Sequence, residues 1–117
     1  MLKRTSVTAA PPPVAAPARL DGEWRTAATE DLCRTVATLR SPDEAAAFLR
    51  DLCTRAELQA LSARWQVAQL LDAGVHYQEI ARRTGASTAT ISRVNTWLRF
   101  GAGGYRTLLA RRPGGDG

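Results

Sequence analysis

The chain is nearly free of lysine, has one histidine and two cysteines, and shows no alternating strand pattern; each scarcity closes off a class of function. With only Cys33, Cys53 and His76 to draw on, no zinc-ligand spacing can be assembled. Each cysteine falls among apolar residues on a helical pattern, so buried packing in a reducing compartment is expected, with a disulfide as the alternative. No apolar run approaches the length of a bilayer span, and the N-terminus lacks the apolar core of a secretion signal. A cytoplasmic, nucleoid-associated protein with no membrane contact follows as the expectation. There is no nucleophile beside a base, no glycine loop to cradle phosphate and no metal-binding cluster, so neither an enzyme nor a cofactor is expected. The adjacent Asp43 and Glu44 suit the positive end of a helix and need no catalytic role.

What is present is arginine and alanine. The 117 residues suffice for one small core and no second domain. The formal net charge is +5, and its placement carries more information than its size. Lys3, Arg4 and Arg19 face Asp21 and Glu23 in the first stretch, and arginines and acids nearly cancel from residue 24 to 76. Beyond residue 76 come Arg82, Arg83, Arg93, Arg99, Arg106, Arg111 and Arg112, against Glu79 and Asp116 alone. A genome rich in arginine codons would explain the choice of arginine over lysine. It would not explain where the acids are missing, and a one-sided basic excess is the footprint of a phosphate partner.

Residues 1–22 hold Pro11, Pro12, Pro13 and Pro17 among Ala, Thr and Ser, too little apolar surface to fold, so a disordered arm is predicted. Residues 23–112 read as one helical domain, and 113–117 as a flexible Gly-rich tail. A first helix spans about Trp24 to Leu39, with Ala28, Leu32, Val36 and Leu39 on one stripe. Ser41-Pro42-Asp43-Glu44 reads as a capping box opening a second helix that buries Ala45, Phe48, Leu49 and Leu52. Thr54-Arg55-Ala56-Glu57 repeats the device and opens a longer helix through Leu58, Leu61, Trp65, Ala68 and Leu71, closed near Gly74. Trp65 belongs to that helix's core face, and Tyr105 is expected to pack the C-terminal segment, with a short helix over Arg106 to Arg112, back onto the domain. The fold class is all α.

The stretch from Tyr77 to residue 99 is the most informative. Ile80 and a small Ala81 fall on the inner face of a helix that Gly85 can end in a left-handed conformation. Ser87 then caps a second helix, whose Ile91, Val94 and Leu98 recur at the spacing of one buried stripe. This is the pattern of a helix-turn-helix with recognition helix 87–99 and double-stranded DNA as its partner. A plain helical hairpin with a solvated polar face is the bland alternative. Thr88, Ala89 and Thr90 stand where a recognition helix reaches deepest, and their methyl groups suit thymine methyls. Ser87, Ser92, Arg93 and Thr96 share the outward face. Gln78, Arg82, Arg83 and Arg99 are candidate phosphate partners, though any one of these arginines could equally be solvated surface. His76 sits where a cap would, as a surface or capping residue.

The segments Thr54-Arg55-Ala56-Glu57-Leu58-Gln59-Ala60-Leu61-Ser62-Ala63-Arg64 and Gly85-Ala86-Ser87-Thr88-Ala89-Thr90-Ile91-Ser92-Arg93 resemble the tryptophan-repressor superfamily. Arg64-Trp65, Arg93-Val94-Asn95 and Gly101-Ala102-Gly103-Gly104-Tyr105 are similar to its YerC/YecD branch of tryptophan-repressor-related proteins. The resemblance implies an intertwined all-helical homodimer and a transcriptional regulator, and it raises the question of a corepressor: Arg64 and Arg93 match the two arginines that sandwich tryptophan, and Thr54 the pocket edge. Where that pocket needs a glycine and a small serine, this chain has Val94 and Trp97. Tryptophan is therefore not expected to bind, whereas another small effector in a pocket reshaped by Thr54, Arg64, Arg93, Val94 and Trp97 stays open. Two further readings compete with a repressor: a non-specific DNA binder, and an interaction module docking an acidic partner such as RNA polymerase.

Overall fold

The computed structural model describes residues 24–112; the predicted arm at 1–22 and the tail at 113–117 lie outside the described residues. Six helices follow one another: α1 (Ala27–Val36), α2 (Pro42–Leu52), α3 (Arg55–Asp72), α4 (Tyr77–Thr84), α5 (Thr88–Phe100) and α6 (Gly104–Arg111). The described residues contain no strand, so the chain is all α.

Local chemistry sets most of these boundaries. Thr54 accepts a hydrogen bond from the Glu57 amide (3.0 Å) and donates its own amide to Glu57 Oε1 (2.8 Å), the reciprocal capping box expected at the start of α3. Just past the end of α3, the Val75 amide reaches back to the Leu70 carbonyl and the Gly74 amide to that of Leu71. Those two bonds satisfy carbonyls that would otherwise be left open at the helix end. α2 differs from the expected pattern. Ser41 caps it by accepting from the Glu44 amide (3.0 Å), but Glu44 Oε1 accepts from the Arg40 amide (2.7 Å) instead of that of Ser41. The carboxylate thus ties the incoming chain one residue earlier than a reciprocal box would. α1 is shorter than the stripe suggests, because Thr26 and Thr29 cap each other and fix its start.

The core is small and sits in the C-terminal half. Val67 and Ala68 of α3, Ile80 of α4, and Ile91 and Val94 of α5 are buried in one cluster, with Trp65, Leu70, Leu71, Val75, Tyr77, Ala81, Ala86 and Tyr105 packed around it. α3 is the axis of the molecule: α2, α4, α5 and α6 all pack on it. Its eighteen residues span about 27 Å, so it runs well past the three-helix cluster at its end. This explains why Leu61, expected on the buried stripe, is 42% exposed.

The N-terminal helices depart furthest from expectation. Among the described residues α1 packs on no other helix, and α2 only on α3. Ala45, Phe48 and Leu49 are half-buried, whereas Leu52 is exposed, as are Trp24, Leu32 and Val36. The cysteines follow: Cys33 is exposed and Cys53 half-buried, both as free thiols, so neither the buried packing nor the disulfide is found. The Cα radius of gyration is 15.7 Å, against about 12–13 Å for a compact chain of this size. Among the described residues, the apolar side chains of α1 are left uncovered.

Candidate nucleic-acid interface

α4 and α5 form the helix-turn-helix, and the turn between them is built by three residues. Gly85 takes φ +78° and its amide donates to the Ala81 carbonyl at 2.8 Å, ending α4. Ser87 then opens α5 by accepting from the Thr90 amide at 3.1 Å. Thr84, absent from the residues expected to form the site, holds the turn from inside: its hydroxyl donates to the Ile80 carbonyl (2.8 Å) and accepts from the Ala86 amide (3.0 Å). A threonine directly before the glycine was the only signal available for it. His76 occupies the N-cap of α4 without a capping hydrogen bond from its side chain, so it is a surface residue there.

Ile91, Val94 and Leu98 anchor one side of α5 in the core. At 3.6 residues per turn, Ala89, Arg93 and Thr96 fall on the opposite side, flanked by Ser92. All four are exposed, as are Ser87 and Thr88 at the entrance of the helix. The hydroxyls are partly committed. Ser87 Oγ bonds Thr90 Oγ1 at 3.1 Å, and Thr96 Oγ1 donates to the Ser92 carbonyl at 3.1 Å. Thr90 is half-buried and lies on the flank, so of the three first-turn candidates it is the one least turned outward. Gln78 is exposed at the first turn of α4.

Electrostatics divide the arginines into two sets. Arg82 and Arg83 are both tied to Glu79: Arg82 Nε donates to Oε1 (3.0 Å) and Arg83 Nε to Oε2 (2.9 Å). Hydrogen bonds from Arg82 and then Arg83 hold the Glu79 carboxyl down at about 2, well below its usual range. Arg93 and Arg99 are exposed on α5 and take part in no ion pair among the described residues. Arg99 also borders an open cavity of about 460 Å³ where the ends of α3 and α5 meet α6, with Asp72, Asn95, Phe100 and Arg106 on its walls.

The candidate effector positions differ in their surroundings. Thr54 is spent on capping α3, Arg64 is half-buried, Arg93 is exposed, Val94 is sealed in the core at 1% exposure, and Trp97 stands 54% exposed. None of the five lines the cavity beside Arg99 or the second one, about 320 Å³, along the first half of α3.

The sequence profile of the family described as Trp repressor protein matches residues 27–113. The chain belongs to the Trp repressor family. It is 42% identical over 82 residues to the Uncharacterized protein YerC of Bacillus subtilis, covering 70% of this chain and 79% of that one. Its fold is similar to that of a TrpR-like protein from Eubacterium eligens, with a TM-score of 0.72 and 44% identity over 76% of this chain and 92% of the other. A Trp-repressor-type protein from Staphylococcus aureus matches with a TM-score of 0.71 and 43% identity, over 76% and 89% of the two chains. The family fold is that of a non-enzymatic, helix-turn-helix DNA-binding regulator, consistent with the YerC/YecD branch.

Proposed function

We propose that this family member is a sequence-specific transcriptional repressor that binds double-stranded DNA as a homodimer, with recognition helix 87–99 in the major groove. The observation that carries the reading is the outward face of α5. Thr88, Ala89, Ser92, Arg93 and Thr96 are exposed on a helix whose other side is fixed by buried Ile91 and Val94. A rigid base under short side chains is what groove entry requires. Such side chains cannot make the bidentate contacts that arginine or asparagine make to purines. Discrimination then rests on methyl contacts, bridging waters and the shape of the duplex.

Dimerisation is supported by the N-terminal helices. α1 carries Leu32 and Val36 yet packs on no other helix among the described residues, and a second copy supplies the missing surface. One recognition helix also reads only a few base pairs, too few against the excess of competing sites.

Tryptophan is not the corepressor in this reading. Val94 occupies the position that must be glycine for the indole to enter, and it is already part of the core. The reading heads are held by packing alone. The deciding experiment is selection of binding sites from random duplex DNA at physiological salt, with and without free tryptophan. An enriched palindrome that does not depend on tryptophan is expected. Enrichment only with tryptophan would reinstate the corepressor, and no enrichment in either arm would favour non-specific binding or docking to an acidic protein.

A further inference from the structure

Glu79 is the sole acidic residue between Tyr77 and Arg112, a stretch that carries all seven arginines of the basic half. An acid here would weaken attraction to phosphate, yet it is paired with two of those arginines. Its two oxygens take hydrogen bonds from Arg82 Nε (3.0 Å), Arg82 Nη2 and Arg83 Nε (2.9 Å). The spacing of three and four residues along α4 places all three side chains on one helical face. The pairing leaves Nη1 of Arg82 and both Nη nitrogens of Arg83 open to a further acceptor, because a guanidinium has more donors than one carboxylate can use.

Two consequences follow from this geometry. An exposed arginine without a partner samples many rotamers, and fixing it on a phosphate costs conformational entropy. Arg82, whose side chain is 71% exposed, is already held on two edges of the same carboxylate. The triad also presents one net positive charge instead of two. Attraction to duplex DNA of any sequence scales with the number of phosphates neutralised, so Glu79 lowers that general term while keeping the arginine forks in one geometry.

We infer that Glu79 is a specificity-determining positioning residue of the DNA interface: it fixes Arg82 and Arg83 for one phosphate register and suppresses binding to DNA in any other. The inference rests on the DNA-binding reading above. α4 arrives at its phosphates pre-ordered, and a duplex whose backbone does not meet the forks gains little from them.

The test compares wild type, Glu79→Gln and Glu79→Asp on the selected operator duplex and on a scrambled duplex, from about 50 to 200 mM salt. Glu79→Gln releases both arginines. Its affinity for scrambled DNA should rise on the order of three- to tenfold at low salt, with a salt slope steeper by about 0.9 per added phosphate contact, while the operator gains less. Glu79→Asp keeps the charge and shortens the reach, so the ratio of operator to scrambled affinity should fall in that variant too, without a change of net charge. If Glu79→Asp matches wild type, or if Glu79→Gln shifts both duplexes by one factor, the positioning role is wrong and only net charge matters. Helical content by circular dichroism identifies a variant that has lost α4, in which case the other variant decides. A wild-type protein that binds neither duplex overturns the DNA reading itself, an outcome separate from a selective wild type whose variants keep their selectivity.

Discussion

The rings of Trp65 and Tyr105 lie stacked, their centroids 6.3 Å apart and their planes inclined by 10°. Trp65 belongs to α3 and Tyr105 to α6, so this contact fastens the C-terminal helix to the axis of the molecule. Offset stacking of this kind contributes about 0.5–1.5 kcal/mol beyond the area it buries. Tyr105→Leu, which keeps most of the apolar area, should therefore lose about that much, and Tyr105→Ala about 1–3 kcal/mol. Denaturant titration at one fixed protein concentration measures both. A Tyr105→Leu variant as stable as wild type would show that the ring pairing contributes nothing.

Gly85 and Gly101 should respond to alanine for different reasons. Gly85 sits at φ +78° with open space where a side chain would go, so the cost is that of the left-handed backbone alone, about 1–2 kcal/mol. At Gly101 a methyl group would collide with the Trp97 carbonyl and lie 3.1 Å from its ring. Gly101→Ala must therefore displace the last turn of α5, with a change in Trp97 emission that Gly85→Ala does not produce. Thermal melts paired with fluorescence spectra distinguish the two.

Leu32 and Val36 provide the check on assembly. Since α1 packs on no other helix among the described residues, Leu32→Asp and Val36→Asp would be nearly neutral in a monomer, as exposed substitutions generally are. In the proposed dimer they place charge in an apolar interface. Sedimentation of wild type at micromolar concentration should give a dimer, and the double variant a monomer with a lower melting temperature. A monomeric wild type would remove the dimer from the proposal.

The Glu79 triad sets a pH dependence with a definite sign. Its carboxyl lies at about 2 in the folded chain against an ordinary 4.5. A depressed carboxyl contributes stability that is fully present above the unfolded value and is lost as the pH falls through the folded one. Wild type should melt above Glu79→Gln at pH 6, and the gap should narrow from about pH 4.5 towards 2. A gap that persists unchanged to pH 2 would mean that the charged pairing is not its source.

Within the recognition helix, Thr88 and Thr90 should not behave alike. Thr90 shares its hydroxyl with the Ser87 cap, so Thr90→Ala disturbs the start of α5 before it affects any base contact. Thr88→Ala leaves the cap intact and should cost about 1 kcal/mol of discrimination at one operator position. Arg93→Ala, by contrast, should weaken binding to all sequences and reduce the salt slope by about 1 if it contacts phosphate. Equal losses of site preference from Thr88→Ala and Arg93→Ala would undo this division of roles.

The helix-turn-helix was legible in the sequence because its determinants are local. Gly85, Ser87 and the Ile91, Val94, Leu98 stripe each act within a few residues of chain, and the backbone follows them wherever the rest of the molecule lies. The capping pair of Thr54 and Glu57 is of the same kind. At Ser41 the same rule was only half right, since whether Glu44 reaches Ser41 or Arg40 depends on the path of the incoming chain.

Burial was not legible in this way. The stripes of α1 and α2 state that Leu32, Val36 and Leu52 prefer an apolar neighbour, but not that the other described helices leave them exposed; hence Cys33 is exposed where a buried thiol was expected. The sequence alone determined where α2, α3 and α5 begin, where α4 ends and which side of α5 faces the core, because hydrogen bonds and side-chain periodicity act along the chain. Only the tertiary structure decided that α3 outruns its core and that Trp65 meets Tyr105, because those depend on how the packed helices lie in space.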